Sequence, residues 1–341
     1  MNVSSDRPAL VTGASGFTGG HLVRALAQTG QPIRVIVRSI SRAANLPPGV
    51  DVHVGDITDP KAARKAVEGV GTIYHIAAAY REASYREDGY REVNVGATRN
   101  FLEAAAAFGV DRFVHCSTVG VHGHIANPPA DESAPFAPAD AYQRTKLEAE
   151  LLALSYGRER GVPVTVARPT AIYGPGDRRL LKMFRMVANG TFVMLGSRDI
   201  FYHMVYIDDL VEGLQLLGTH PGAVGEVFIL GGEQYYRLKT ITGMIARLLG
   251  VRAPWLRLPA RPFQLAGSLC EAVCLPFGID PPLHRRRVDF FTKSRAFSID
   301  KARRQLGYSP RVPLESGLRQ TLDWYLSNGL ITPGTLIASR A

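Results

Sequence analysis

The stretch Ala9-Leu10-Val11-Thr12-Gly13-Ala14-Ser15-Gly16-Phe17-Thr18-Gly19 decides the fold. Ala9 to Thr12 reads as a short buried strand, and Gly19 to Gln28 has helical periodicity. A glycine triplet alone is a weak signal. Between a strand and a helix, near the start of the chain, it has the context that a phosphate-binding turn requires. Gly13 allows a tight turn, Gly16 lets the backbone approach a pyrophosphate, and Gly19 lets helix pack closely on strand. The helix N-terminus adds unpaired N–H groups and a partial positive charge. Phe17, inside the turn, joins the expected cofactor contacts.

Outward from this turn the pattern repeats. Ile33 to Val37, Val52 to Val54, Thr72 to Ile76, Arg112 to Cys116 and Val164 to Arg168 read as strands. Between them Lys61 to Glu68, Arg91 to Phe108 and Tyr142 to Arg160 read as helices. Strand alternating with helix implies an α/β fold, a Rossmann-type doubly wound parallel sheet with ligands along the strand C-termini. After Gly174-Pro175-Gly176 the rhythm loosens. Strands near Met204-Val205-Tyr206 and Val227 to Leu230, and a helix from Leu238 to Leu249, suggest a smaller C-terminal substrate-binding lobe. The expected division is a dinucleotide-binding domain over 1–175, with 203–232 partly returning to it, and a substrate lobe and tail over 176–341. The proline-punctuated apolar segment 254–282 reads as a lid, a substrate-facing wall or core.

Length and composition fit this plan. The 341 residues allow a large domain plus a smaller one, and 46% hydrophobic against 21% charged residues is ordinary for a soluble protein. Three cysteines, Cys116, Cys270 and Cys274, cannot form a disulfide framework and point to a reducing, cytoplasmic setting. No further ligand accompanies Cys270 and Cys274, so no metal site is expected. The N-terminus shows no signal-peptide pattern, and the apolar stretch Phe263 to Ile279 is too short and interrupted to span a bilayer. The net charge of +10 has much of its excess late, in His284-Arg285-Arg286-Arg287, Lys293, Arg295, Lys301, Arg303 and Arg304. This reads as a solvated basic face, or as attraction to a phosphorylated ligand or an anionic membrane surface. No aromatic-interleaved basic motif suggests nucleic acid.

Two clusters carry chemistry. The second strand ends at Arg38, where an acidic residue would bind an NAD ribose. A cation there can pair with the 2′-phosphate of NADP, and Arg42 can assist. NADP is therefore the expected cofactor, with NAD left open. Asp56 and Ile57, after the third strand, would lie near the adenine, although Asp56 also suits loop capping. The second cluster is Tyr142 and Lys146, one turn apart on one helix face. A phenol is a poor base at neutral pH until a nearby cation stabilises its phenolate. Ser117 or Thr118, after the fifth strand, would hold the substrate oxygen at the same sheet edge.

Together these residues resemble the extended short-chain dehydrogenase/reductase family, and the resemblance covers nearly the whole chain. It rests on Thr12 to Gly19, Gly55-Asp56-Ile57, His75-Ile76-Ala77-Ala78, Asn94-Val95-Gly96-Ala97-Thr98, the Ser/Thr pair, Tyr142 with Lys146, and Arg168-Pro169 through Gly176. The tail Phe297 to Arg303 and Leu306-Gly307-Tyr308-x-Pro310 adds to it. The resemblance implies Tyr142 as acid/base, Lys146 as its partner and a bond to the nicotinamide ribose, and Thr118 as the catalytic hydroxyl. It also implies Ala77, Ala78 and Pro169 against the cofactor. A homodimer through helices Arg91–Phe108 and Tyr142–Arg160 is implied as well.

Within the family the chain looks most like the group of 3β-hydroxysteroid dehydrogenases, dihydroflavonol reductases and hopanoid-associated sugar epimerases. Asp209, where steroid-type members often carry Asn, resembles the reductase and epimerase branches. The leading expectation is an oxidoreductase interconverting a secondary alcohol and a ketone on a fairly apolar small molecule. One alternative is a nucleotide-sugar 4-epimerase, with Arg178, Arg179 and Arg185 clamping a diphosphate. Another is a non-catalytic dinucleotide sensor. Val119 after Thr118 removes the carboxylate that a dehydratase usually needs.

Overall fold

The computed structural model describes residues 7–80, 87–196, 200–274 and 291–332. The basic run His284-Arg285-Arg286-Arg287, Pro281-Pro282-Leu283 and the end of the apolar segment lie outside the described residues. Strands β1 (Ala9–Thr12), β2 (Ile33–Val37), β3 (Asp51–Val54), β4 (Thr72–His75), β5 (Arg112–Cys116), β6 (Val164–Pro169) and β10 (Val227–Leu230) form one sheet. Its order is β10-β6-β5-β4-β1-β2-β3, and every neighbouring pair is parallel. The order reverses between β1 and β4, so a crevice opens beyond their C-termini. The register aligns Thr12 with His75, His75 with His115, and Leu230 with Pro169, which gathers these strand ends on one edge.

Apolar residues pack both faces. Helices α2 (Pro60–Val67), α4 (Ala97–Phe108) and α5 (Ala141–Arg160) cover one side, where Ala63, Phe101, Leu102, Phe113 and Val166 are buried. Helices α1 (Phe17–Gln28) and α7 (Ile207–Thr219) cover the other through Leu22, Val23, Leu210 and Leu214. The expected helix over Arg91–Phe108 is not one regular element. It begins as α3 (Glu87–Arg91), passes through a π turn at Glu92–Gly96, and continues as α4. The extra residue in that turn sends Asn94 into the interior, where it is 1% exposed.

The second lobe is built from strands β7 (Ala171–Tyr173), β9 (Phe201–Tyr206) and β11 (Tyr235–Arg237), with α6 (Leu181–Ala188) and α8 (Leu238–Leu249). Helix Leu314–Ser327 returns the tail onto α8 and β9, after helix Asp300–Leu306 has packed on β10 at the edge of the main sheet. Asp209 explains part of this closure: it is buried, and its two oxygens accept from the Arg311 and Val312 amides. It thereby holds the tail, a role the reading from sequence did not give it. The segment 254–274 is not core. Its helix α9 (Ala260–Cys274) leaves Leu265 and Leu269 in solvent.

Among the described residues, burial lowers the pKa values of four interior histidines, His75, His115, His122 and His203. Thr12 Oγ1 accepts from the Ile76 and Ala77 amides, so its own hydrogen goes to His75 Nδ1 at 3.1 Å. His75 Nε2–H then donates to Thr98 Oγ1 at 3.1 Å, and Thr98 donates to Asn94 O at 2.7 Å. This direction requires a neutral ring, and burial, with the Lys146 charge second, pushes the His75 pKa down to about 3. His115, stacked 5.9 Å from His75, is lowered by burial and then by Lys146. His122 Nε2 faces Arg168 Nη1 at 2.9 Å and must accept; burial and then Arg168 lower it. Burial lowers His203 as well.

The unfolded chain takes up protons at these rings near its ordinary histidine pKa, and the folded chain resists until well below it. Stability is therefore complete above about pH 6.5 and falls as pH drops below it, by up to ~1.4 kcal/mol per pH unit for each ring. Urea unfolding should show a clearly lower midpoint at about pH 5 than at about pH 7.5. Equal midpoints would contradict the neutral interior.

Candidate active site

The turn after β1 has little room for side chains. Gly13 has φ +72°, and a Cβ there would lie 2.9 Å from the Ala77 backbone. A Cβ on Gly19 would lie 2.3 Å from Gly13 O. The turn is thus pressed against the exit of β4, with the Gly16 amide donating to Gly13 O at 2.9 Å. Helix α1 begins at Phe17; its N-cap, Gly16, has no side chain to accept from the helix, and its first turn holds no acidic residue. The helix's N–H groups and positive end are left for an anion. Ala77 and Ala78 are half-buried alongside. This donor set and its small, open neighbours fit a dinucleotide pyrophosphate.

Farther out, Arg38 and Arg42 are exposed after β2, in and beside the 3-10 turn Ile40–Ala43. Asp56 is also exposed. Its Oδ1 accepts from both the amide and the hydroxyl of Thr58 at 2.9 Å, so it caps this turn whatever else it binds. Asn100 Nδ2 donates to Ile57 O and Thr58 O, which ties the same loop to α4.

Helix α5 starts at a reciprocal cap. Asp140 accepts from the Gln143 amide at 2.8 Å, and Gln143 Oε1 accepts from the Ala139 amide at 2.7 Å. This fixes the first turn and with it Tyr142. The half-buried Tyr142 ring meets the edge of Tyr80, with centroids 4.9 Å apart at 71°. Lys146, one turn on, is 1% exposed. Burial lowers its pKa, opposed by Cys116 and Glu150. A Cβ built on Gly120 would lie 3.3 Å from both Thr118 Oγ1 and Gln143 Cγ, so the Thr118 hydroxyl sits against the turn that carries Tyr142.

Geometry separates the two hydroxyls that sequence left open. Ser117 is buried and donates to Glu150 Oε2 at 2.5 Å. Glu150 in turn forms a buried ion pair with Arg168, whose Nε donates to both carboxylate oxygens and whose Nη2 donates to Oε1. Arg168 also donates to Glu132 O and lies over the Phe136 ring. Thr118 is half-buried, accepts from the Gly120 amide at 3.0 Å, and can still donate its hydrogen. Pro169, at the end of β6, is buried beside Leu230 rather than open.

The contacts of three residues, two of them already named from sequence, escaped sequence reasoning. Asn94 accepts from the Ala79 amide at 2.8 Å and donates to Thr145 Oγ1 at 3.0 Å, joining the His75 chain to α5. Thr145 donates back to Ala141 O or Tyr142 O. Tyr80, against Tyr142, had no motif. Arg179 is oriented by Asp177, 2.6 Å from its Nε, and lies 5.4 Å over the Phe17 ring. It is close enough to interact electrostatically with Tyr80 and Tyr142. Of the other two candidate clamp residues, Arg185 donates to Leu330 O, and Arg178, like Arg179, is exposed.

The chain is similar to known proteins. A model of the NAD dependent epimerase/dehydratase family matches residues 9–231. A 3β-hydroxysteroid dehydrogenase/Δ5→4-isomerase of Mycobacterium tuberculosis is 31% identical, over 93% of this chain and 90% of that protein. Sterol demethylase protein B of Methylococcus capsulatus is 29% identical over 94% and 99% of the two chains. The crystal structure of gox2253 superimposes with a TM-score of 0.80 at 30% identity, over 96% of this chain and all of the other. The chain belongs to the NAD-dependent epimerase/dehydratase family, as an enzyme of its oxidoreductase and epimerase type.

Proposed function

We propose that this protein interconverts a secondary alcohol and a ketone on a fairly apolar, sterol-like substrate, with Tyr142 as acid/base. The reading rests on Tyr142 and Lys146 one turn apart on α5, the half-buried Thr118 whose hydroxyl can still donate, and Ser117 withdrawn into the Glu150–Arg168 pair. Bound nicotinamide supplies the hydride exchange. In the oxidative direction the Tyr142 phenolate takes the proton from the alcohol oxygen as that carbon gives up hydride; in reduction Tyr142 returns it. Thr118 donates to the same substrate oxygen. Lys146 and Arg179 are cations that favour the phenolate, and the buried setting of Lys146 strengthens its field.

Relatives named for 3β-hydroxysteroid and sterol chemistry support the apolar substrate. The nucleotide-sugar reading needs cations for a diphosphate. Of the three arginines considered, Arg179 lies over Phe17 on the cofactor side and Arg185 is turned to Leu330 O. Purified enzyme should turn over hydroxysterols or ketosteroids, and Tyr142→Phe should lower kcat by ~10²–10⁴ with cofactor affinity kept. Turnover of nucleotide sugars alone would overturn the substrate class. Undiminished activity in Tyr142→Phe would overturn the role of the phenol.

We further infer NADP as the preferred cofactor. Arg38, Ser39 and Arg42 sit at the end of β2 with no carboxylate among them, and a 2′-phosphate there gains charge-assisted hydrogen bonds. Arg38→Asp should shift the NADP-to-NAD ratio of kcat/KM toward NAD by about tenfold to a hundredfold. A wild-type preference for NAD, or an unchanged ratio in the variant, would contradict this.

A further inference from the structure

A single exposed hydrophobic residue is ordinary, but an exposed stripe is not. On α9, Leu265, Leu269 and Val273 are 73%, 68% and 56% exposed. Their spacing of four puts them in one row along the helix. Just before the helix, Trp255 is 76% exposed and Leu256 39%. This face is displayed by fixed backbone. Strand β12 (Arg257–Leu258) pairs with β8 (Met194–Leu195), the Met194 amide donates to Leu256 O, and the Gly196 amide donates to Leu258 O.

Cations outnumber the acidic group along the stripe. Arg252, Arg257 and Arg261 are exposed beside it, and Glu271 is the only acidic residue in the sequence 250–274. The sequence beyond Cys274 runs through Leu275-Pro276-Phe277 and one acidic residue, Asp280, to Arg285-Arg286-Arg287. An apolar row with tryptophan at its edge and arginines around it is complementary to a lipid surface with acidic headgroups. A second copy of the chain would bring the same arginines together across a symmetric contact, which like charges oppose. No described helix is long and apolar enough to cross a membrane, so the face would lie on the surface.

We propose that the face formed by Trp255, Leu265, Leu269 and Val273 seats on an anionic lipid bilayer, with Arg252, Arg257 and Arg261 meeting headgroup phosphates. This docking is independent of the substrate reading, because it uses none of the residues around Tyr142.

The test is flotation of the purified full-length protein with vesicles of phosphatidylcholine plus phosphatidylglycerol, and with phosphatidylcholine alone. Wild-type protein should float with the anionic vesicles and more weakly with the neutral ones. The triple variant L265E/L269E/V273E should bind the anionic vesicles at least about tenfold more weakly. An unchanged thermal shift on adding NADP would show that this variant is folded. Tryptophan emission should move to shorter wavelength on binding, and this shift should be lost in W255F, where Trp324 remains. Failure of the wild type to float overturns the proposal. So does equal binding by the triple variant, or equal binding to neutral vesicles. A variant that changes only subunit association in sedimentation, with no wild-type vesicle binding, would assign the face to a second copy and overturn it as well.

Discussion

A buried chain of hydrogen bonds joins the turn built for pyrophosphate to the helix that carries the phenol. It runs from Thr12 through His75 and Thr98 to Asn94, and from Asn94 to Thr145. Its members come from β1, β4, the π turn, α4 and α5. In a low-dielectric interior each link is strong when made and costly when broken, so the chain tolerates one arrangement of these elements. That arrangement sets the distance between a cofactor on the glycine turn and Tyr142. Three features serve it: the tight approach of Gly13 to Ala77, the π turn that sends Asn94 inward, and the neutral state of His75.

A second buried group secures the other wall. Glu150 lies two turns beyond Tyr142 on α5, and its pair with Arg168 locks this helix to β6. Removing one partner of such a pair leaves an uncompensated buried charge, which typically costs 3–5 kcal/mol. Ser117 completes the carboxylate's bonding and is thereby withdrawn from the strand edge, which leaves the next hydroxyl, Thr118, beside α5. Lys146 lies between these two buried groups. Its charge is among the causes that lower the pKa values of His75 and His115.

Much of this was legible in the sequence, for identifiable reasons. Strands β1, β2, β5 and β10 were bounded correctly because short apolar runs between turn residues have few other uses in an alternating pattern. The glycine turn and the Tyr142–Lys146 pair depend on local spacing, which sequence displays directly. What sequence did not give depends on contacts between distant segments. The π turn has no composition signal, so Asn94 was visible as part of a motif but not as an inward-facing link. Arg179 looked like its neighbours Arg178 and Arg185 until Asp177 was seen to orient it. Asp209 looked like a marker of substrate branch and proved to hold the tail. The stretch 254–274 was apolar enough to read as core, and only the fold shows that one row of it faces water.

The central claim is that the glycine turn and the catalytic helix are coupled through Asn94. A double-mutant cycle on Thr98→Val and Thr145→Val, read as kcat/KM with cofactor saturating, measures that coupling directly. These hydroxyls flank Asn94 on opposite sides of the chain and do not bond to each other. A coupled chain predicts an interaction energy of about 0.5–3 kcal/mol. Effects that add within about 0.3–0.5 kcal/mol would show that the two halves of the site are positioned independently, contrary to this account.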